Sequence, residues 1–254
     1  MDDDEGRPVA LVTGVGRTRG IGAAVARGLA LSGWDIVFTH FSPYDERMPW
    51  GGEPHATEQI IGTLRAAGAR ALAIEADLAV PETAERLFDR AVDVLGDVHA
   101  LVMCHCESVA SGLLDTSLES FDRHFAVNAR ATWLLVRAFG RRAEGVDPRR
   151  RIIALTSDHT VGNLPYGASK AALDRITLAA AHELAPLGVR ANVINPGPVD
   201  TGWMSDEIRT AGAQQTPLGR NGTPADTADL VTFLCSAQGG WINGQLLKSN
   251  GGFA

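Results

Sequence analysis

A five-residue apolar run, Val9-Ala10-Leu11-Val12-Thr13, runs directly into Gly14, Gly16, Gly20 and Gly22, and a helical pattern follows (Ile21, Ala24, Val25, Leu29). No other stretch restricts the fold as much. A short continuous apolar run suits a parallel strand covered on both faces. Glycines let backbone come close to a bound group, and the next helix offers free N–H groups and a positive dipole to an anion. Strand, glycine turn and helix together make a dinucleotide site; the alternative is a glycine-rich connection without a ligand.

The same alternation continues. Apolar runs at 35–39, 71–74, 100–104, 151–155, 189–194 and 245–247 predict further strands. Helical patterns fall between them, over about 56–67, from Pro81 to Leu95, 120–142, Tyr166 to Leu187 and 225–236, with a short one near 203–209. Strands alternating with helices, without a linker or repeat, predict an α/β fold. Its doubly wound parallel sheet lies between two helical layers, in one domain over residues 8–254. Residues 1–7 read as a disordered tail. The stretch from Phe41 to Pro54 carries three prolines and two glycines and reads as a plain loop, with part of a lid or a subunit contact as the alternative.

Composition removes other classes. The chain has 254 residues, 45% hydrophobic and 21% charged, which suits a globular domain with a substantial core. A net charge of −7 without a basic stripe argues against nucleic acid as a partner. The acidic start lacks a secretion signal, and no apolar run is long enough to cross a bilayer. Three cysteines (Cys104, Cys106, Cys235) make no disulfide framework, so a cytoplasmic, reduced protein is expected.

Tyr166-Gly167-Ala168-Ser169-Lys170 opens the fifth long helical pattern. Residues four apart share a helix face, and an ammonium near a phenol favours the phenolate and lowers its pKa. Such a pair is a general acid–base device, although an ordinary exposed pair has the same spacing.

Taken with Thr13-Gly14, Gly20-Ile21-Gly22, Asp77-Leu78, Val127-Asn128-Ala129, Ser157, Asn192 to Gly197, Thr201 and Asn250-Gly251-Gly252-Phe253, this motif makes the chain resemble the short-chain dehydrogenase/reductase family from Val9 to Phe253. The resemblance implies a seven-stranded Rossmann sheet, a homotetramer or dimer, and hydride transfer between a nicotinamide dinucleotide and a carbonyl or hydroxyl carbon of a small-molecule substrate. By the same resemblance Tyr166 is the acid–base. Lys170 lowers its pKa and binds the nicotinamide ribose, Ser157 donates to the substrate oxygen, and Asn128 holds a water that links Lys170 to solvent. The implied cofactor contacts are Gly14, Arg17, Arg19, Gly20, Ile21, Gly22, His40, Asp77, Leu78, Cys104, Tyr166, Lys170, Pro196, Gly197, Val199 and Thr201. Asp77 accepts from the adenine amino group, and Thr201 touches the carboxamide.

Three departures stand out. Five residues separate Gly14 from Gly20, a spacing similar to the enoyl-reductase branch. Met103-Cys104-His105-Cys106 replaces the family's Asn-Asn-Ala-Gly, and Cys104 takes the place of a cofactor-contacting Asn. Only eight residues lie between Ser157 and Tyr166, which brings Asp158, His159 or Asn163 near the substrate. Cys104, His105 and Cys106 suggest a metal, but no second cluster supplies the other ligands, so none is expected. The end of the second strand, Thr39-His40-Phe41-Ser42, has no acid before Asp45, and Arg17 and Arg19 are available for a 2′-phosphate. NADP(H) is therefore expected over NAD(H). Reduction of an activated C=C bond is the second enzymatic reading. A cofactor-binding sensor is the non-enzymatic one.

Overall fold

In a computed structural model, which describes residues 6–253, seven parallel strands form one sheet in the order β3-β2-β1-β4-β5-β6-β7. The strands are β1 (Val9–Thr13), β2 (Asp35–His40), β3 (Ala71–Glu75), β4 (Val98–Met103), β5 (Arg151–Leu155), β6 (Arg190–Asn195) and β7 (Leu246–Lys248). The main helices are α1 (Ile21–Leu31), α2 (Ser42–Arg47), α3 (Ala56–Ala66), α4 (Thr83–Leu95), α5 (Leu118–His124), α6 (Ala131–Arg141), α7 (Leu164–Glu183), α8 (Asp206–Gln215) and α9 (Pro224–Cys235). Among the described residues no helix is long and apolar enough to cross a membrane.

Period-two alternation makes the two cores. Val9 and Leu11 of β1 join Leu101, Phe88, Phe139 and Leu173 on one face, while Ala10 and Val12 join Val25, Leu29, Phe38 and Val231 on the other. At this burial a continuous apolar strand feeds both layers, which is why β1 reads as an unbroken run. The strand order reverses direction between β1 and β4, so the crevice at their carboxyl ends is the place where such sheets hold ligands.

Several expectations shift. Of the tail expected over residues 1–7, residues 1–5 lie outside the described residues, and Arg7 donates to the carbonyls of Ala30 and Trp34 at 2.7 and 3.0 Å. The 41–54 stretch is not plain loop: Pro43 in its first turn starts α2. The long helix expected over 120–142 begins at Leu118 and is interrupted by a π-helical turn, Phe125–Arg130, which holds Asn128. The short helix expected near 203–209 starts instead at Asp206. There the Ser205 hydroxyl accepts from Ile208 N–H at 3.3 Å, with Asp206 and Glu207 favouring the positive end.

Candidate active site

A cleft of about 1450 Å³ runs along the carboxyl ends of the strands, from the glycine loop to Tyr166. Gly14 is at φ +75°, and a Cβ there would stand 2.5 Å from the His105 nitrogen. A Cβ on Gly22 would stand 2.5 Å from the Gly14 carbonyl oxygen. Both positions therefore require glycine. The turn is fixed by Val15 N–H donating to the Thr39 carbonyl at 2.7 Å. Gly20 precedes α1, and no side chain caps the helix, so its positive end opens into the cleft beside Gly20, Ile21 and Gly22. A glycine cradle, an uncapped helix N-terminus and a cleft of this length fit a dinucleotide diphosphate.

Tyr166 lies in the first turn of α7 and lines the cleft with Ser157, which follows β5 and lowers the phenol's pKa. Ser157 Oγ accepts from His159 N–H at 3.2 Å, which fixes the hydroxyl's position. Lys170, one turn further on, is buried behind the cleft; its Nζ lies 5.7 Å from the centre of the Tyr166 ring. The ammonium donates to the carbonyl oxygens of Leu155 at 2.8 Å and His105 at 3.5 Å. Burial lowers its pKa.

Burial first, then the neighbouring Cys106, pushes the Tyr166 phenol's pKa up, and Ser157 opposes that shift. Asn128 does not have amide protons left for a water. Its Nδ2 donates to the Glu107 carbonyl and to Ser169 Oγ, both at 2.9 Å, and its Oδ1 accepts from Glu107 N–H at 2.8 Å. The fully buried amide ties the turn after β4 to α7, the helix that carries Tyr166 and Lys170.

The unusual segment after β4 has a structural logic. His105 is buried: Nδ1 is 2.6 Å from the Thr13 hydroxyl and Nε2 is 3.1 Å from the Val127 carbonyl. A carbonyl only accepts, so Nε2 carries the proton and Thr13 donates to Nδ1. Burial first, then the Lys170 charge, lowers the His105 pKa to about 3. With both nitrogens engaged, His105 has none for a metal. Cys104 lines the cleft with its thiol pushed up to about 12 by burial, and Cys106 is likewise raised.

Nearly every expected cofactor contact lines the cleft: the glycine loop, His40, Asp77, Leu78, Cys104, Pro196, Gly197, Val199 and Thr201. Gly197, at φ +63°, meets Asn250 so closely that a Cβ would stand 2.4 Å from it. Asp77 Oδ1 accepts from Ala79 N–H at 2.8 Å and lies 3.6 Å from Arg123. The arginines are placed differently from expectation. Arg17 reaches across the cleft and donates to the Thr201 carbonyl and hydroxyl at 3.3 and 3.2 Å. Arg19 does not line the cleft; it packs on Gly202, 3.1 Å from where a Cβ would stand. Arg17 thus bridges the segment after β2, where it meets Asp45 and Trp50, and the segment after β6, while Arg19 packs on the latter.

Sequence reasoning missed the contribution of α2 and the residues after it. Tyr44 lines the same cleft as Cys106 and Tyr166, the chain's other tyrosine, and burial raises its pKa. Arg47 pairs with the buried Glu107, which Arg123 also meets at 3.2 Å. The available signal was the concentration of Tyr44, Met48 and Trp50 in one supposed loop.

Sheet order, switch-point crevice and glycine cradle define a Rossmann-fold protein of the dinucleotide-binding class. A family model described as enoyl-(acyl carrier protein) reductase matches residues 14–254. Among curated relatives, an uncharacterized oxidoreductase of Bacillus subtilis, YjdA, is 36% identical and covers 96% of both chains. The chloroplastic "NADPH-dependent aldehyde reductase-like protein" of Arabidopsis thaliana is 35% identical over 96% of this chain and 93% of its own. Among solved structures, a short-chain dehydrogenase/reductase from Serratia marcescens superposes with a TM-score of 0.86 at 30% identity, over 97% of both chains. A blue fluorescent protein from a metagenomic library, in complex with NADPH, gives 0.86 at 33% identity over 98% of both chains. This chain belongs to the short-chain dehydrogenase/reductase family and is an NAD(P)-dependent oxidoreductase.

Proposed function

We propose that the chain exchanges a hydride between NADP(H) and a carbonyl or hydroxyl carbon of a small molecule, with Tyr166 as the acid–base. The observation that carries this reading is Tyr166 and Ser157 together on the cleft wall, with the Lys170 ammonium buried one helical turn behind. The bound dinucleotide supplies or accepts the hydride. Ser157 and Tyr166 donate to the substrate oxygen as negative charge grows there, and Tyr166 passes its proton to that oxygen. Burial holds the phenol protonated at neutral pH, the form that reduction needs. Lys170, fixed by the Leu155 carbonyl, holds positive charge near the phenolate that forms. Asn128 and Ser169 keep α7 in register with the turn after β4.

NADP(H) is supported by relatives and neighbours whose names carry NADPH or NADP. The family model's description favours reduction of an activated C=C bond as a second reading. The test is NADPH and NADH oxidation at 340 nm against aldehydes, ketones and enones. Turnover of carbonyls with NADPH is expected; turnover of enones alone would transfer the assignment to the second reading.

A homo-oligomer fits the surface. Trp241 is 97% exposed and Leu246, on edge strand β7, is 42% exposed, apolar area that a second copy would cover. Light scattering is expected to give a multiple of 26.9 kDa, and a mass equal to one chain would reject this.

A further inference from the structure

The stretch from Ser42 to Glu53 lies over the glycine loop and holds it with two carboxylates. Glu53 accepts from Thr18 N–H at 2.9 Å and from the Thr18 hydroxyl. Asp45 Oδ2 stands 2.5 Å from where a Cβ on Gly16 would be, and Asp45 Oδ1 lies 3.6 Å from Arg17 Nε. Trp50 joins these contacts: its indole N–H donates to Asp45 at 2.9 Å, and the Arg17 guanidinium stacks on its ring at 4.7 Å. Arg17 in turn bonds Thr201 on the opposite wall, so the chain from Trp50 to Thr201 spans the cleft. Gly51, near its end, is at φ +69°, and just beyond it His55, a non-glycine residue, is held in the left-handed region at φ 61°.

We propose that this stretch is a strap that competes with the dinucleotide: Asp45 and Glu53 occupy, from within the chain, the cationic and N–H groups of the glycine loop, and cofactor phosphates displace them. Asp45 and Glu53 are thus affinity-determining residues. Carboxylate and phosphate seek the same donors, and a group that an internal anion already holds is available to an external one only after exchange. The inference rests on reading the cleft as the dinucleotide site.

The experiment is calorimetric titration of the full chain with NADPH. Asp45→Asn and Glu53→Gln keep shape and lose charge, and each is expected to lower the Kd by about 3-fold. Trp50→Ala leaves charge unchanged but removes the stacking on Arg17 and the bond to Asp45, and it is also expected to bind NADPH more tightly. Tightening by all three supports the strap. Tighter binding by the charge variants with unchanged or weaker binding by Trp50→Ala assigns the effect to net charge and overturns it. Unchanged or weaker binding by the charge variants overturns it too. If the unaltered chain fails to bind NADPH at all, the proposed function falls together with the strap.

Discussion

Tyr166→Phe is expected to lower carbonyl turnover by about 10³-fold while NADPH binding stays within about 2-fold. Only one oxygen is removed; the ring stays in place against the Lys170 ammonium. Without the phenol, Ser157 still donates to a substrate oxygen, so charge stabilisation is reduced, not abolished, and the missing contribution is the proton itself. Because burial raises the pKa of this phenol, reduction should keep its rate through neutral pH. Single-turnover kinetics measure the chemical step directly, and a Phe variant that retains full activity would remove Tyr166 from the mechanism.

The other large effect concerns stability. His105 is neutral in the folded chain, with a pKa lowered to about 3, and takes up a proton near 6.5 when unfolded. Below about 6.5 the unfolded chain therefore binds a proton that the folded chain does not. This group's contribution is complete above that pH and is lost at about 1.4 kcal/mol per pH unit as pH falls toward 3. Denaturant unfolding of the protein and of His105→Asn across this window should differ in slope by that amount. Parallel pH profiles would refute the assignment. Ring resonances of His105 that do not titrate above pH 4 would support it in the unaltered protein.

Legibility in the sequence followed physical range. The β1 run, the glycine turn and the two-residue and helical periods are local patterns, and each predicted its element within a few residues. The π-turn at Phe125–Arg130 was not legible, because its residues are ordinary helix formers and tertiary packing around Asn128 sets the extra residue in the turn. The partners of the Asn128 amide were not legible for a similar reason: Glu107 and Ser169 lie 21 and 41 residues away. The arginines of the glycine loop show the same limit, since nothing near Arg17 in the chain specifies Thr201, 184 residues on.

What the sequence alone determined is the scaffold: alternating strands and helices, a glycine turn that only a close approach requires, and a phenol and an ammonium one helical turn apart. Backbone sterics and apolar periodicity act over a few residues and are written in order along the chain. Tertiary structure alone decided which charges meet. It buried His105 between Thr13 and Val127, used the Asn128 amide as a brace, turned Arg17 toward Thr201, and laid Asp45 and Glu53 on the glycine loop. Those pairings depend on which ends of distant strands the sheet order brings together.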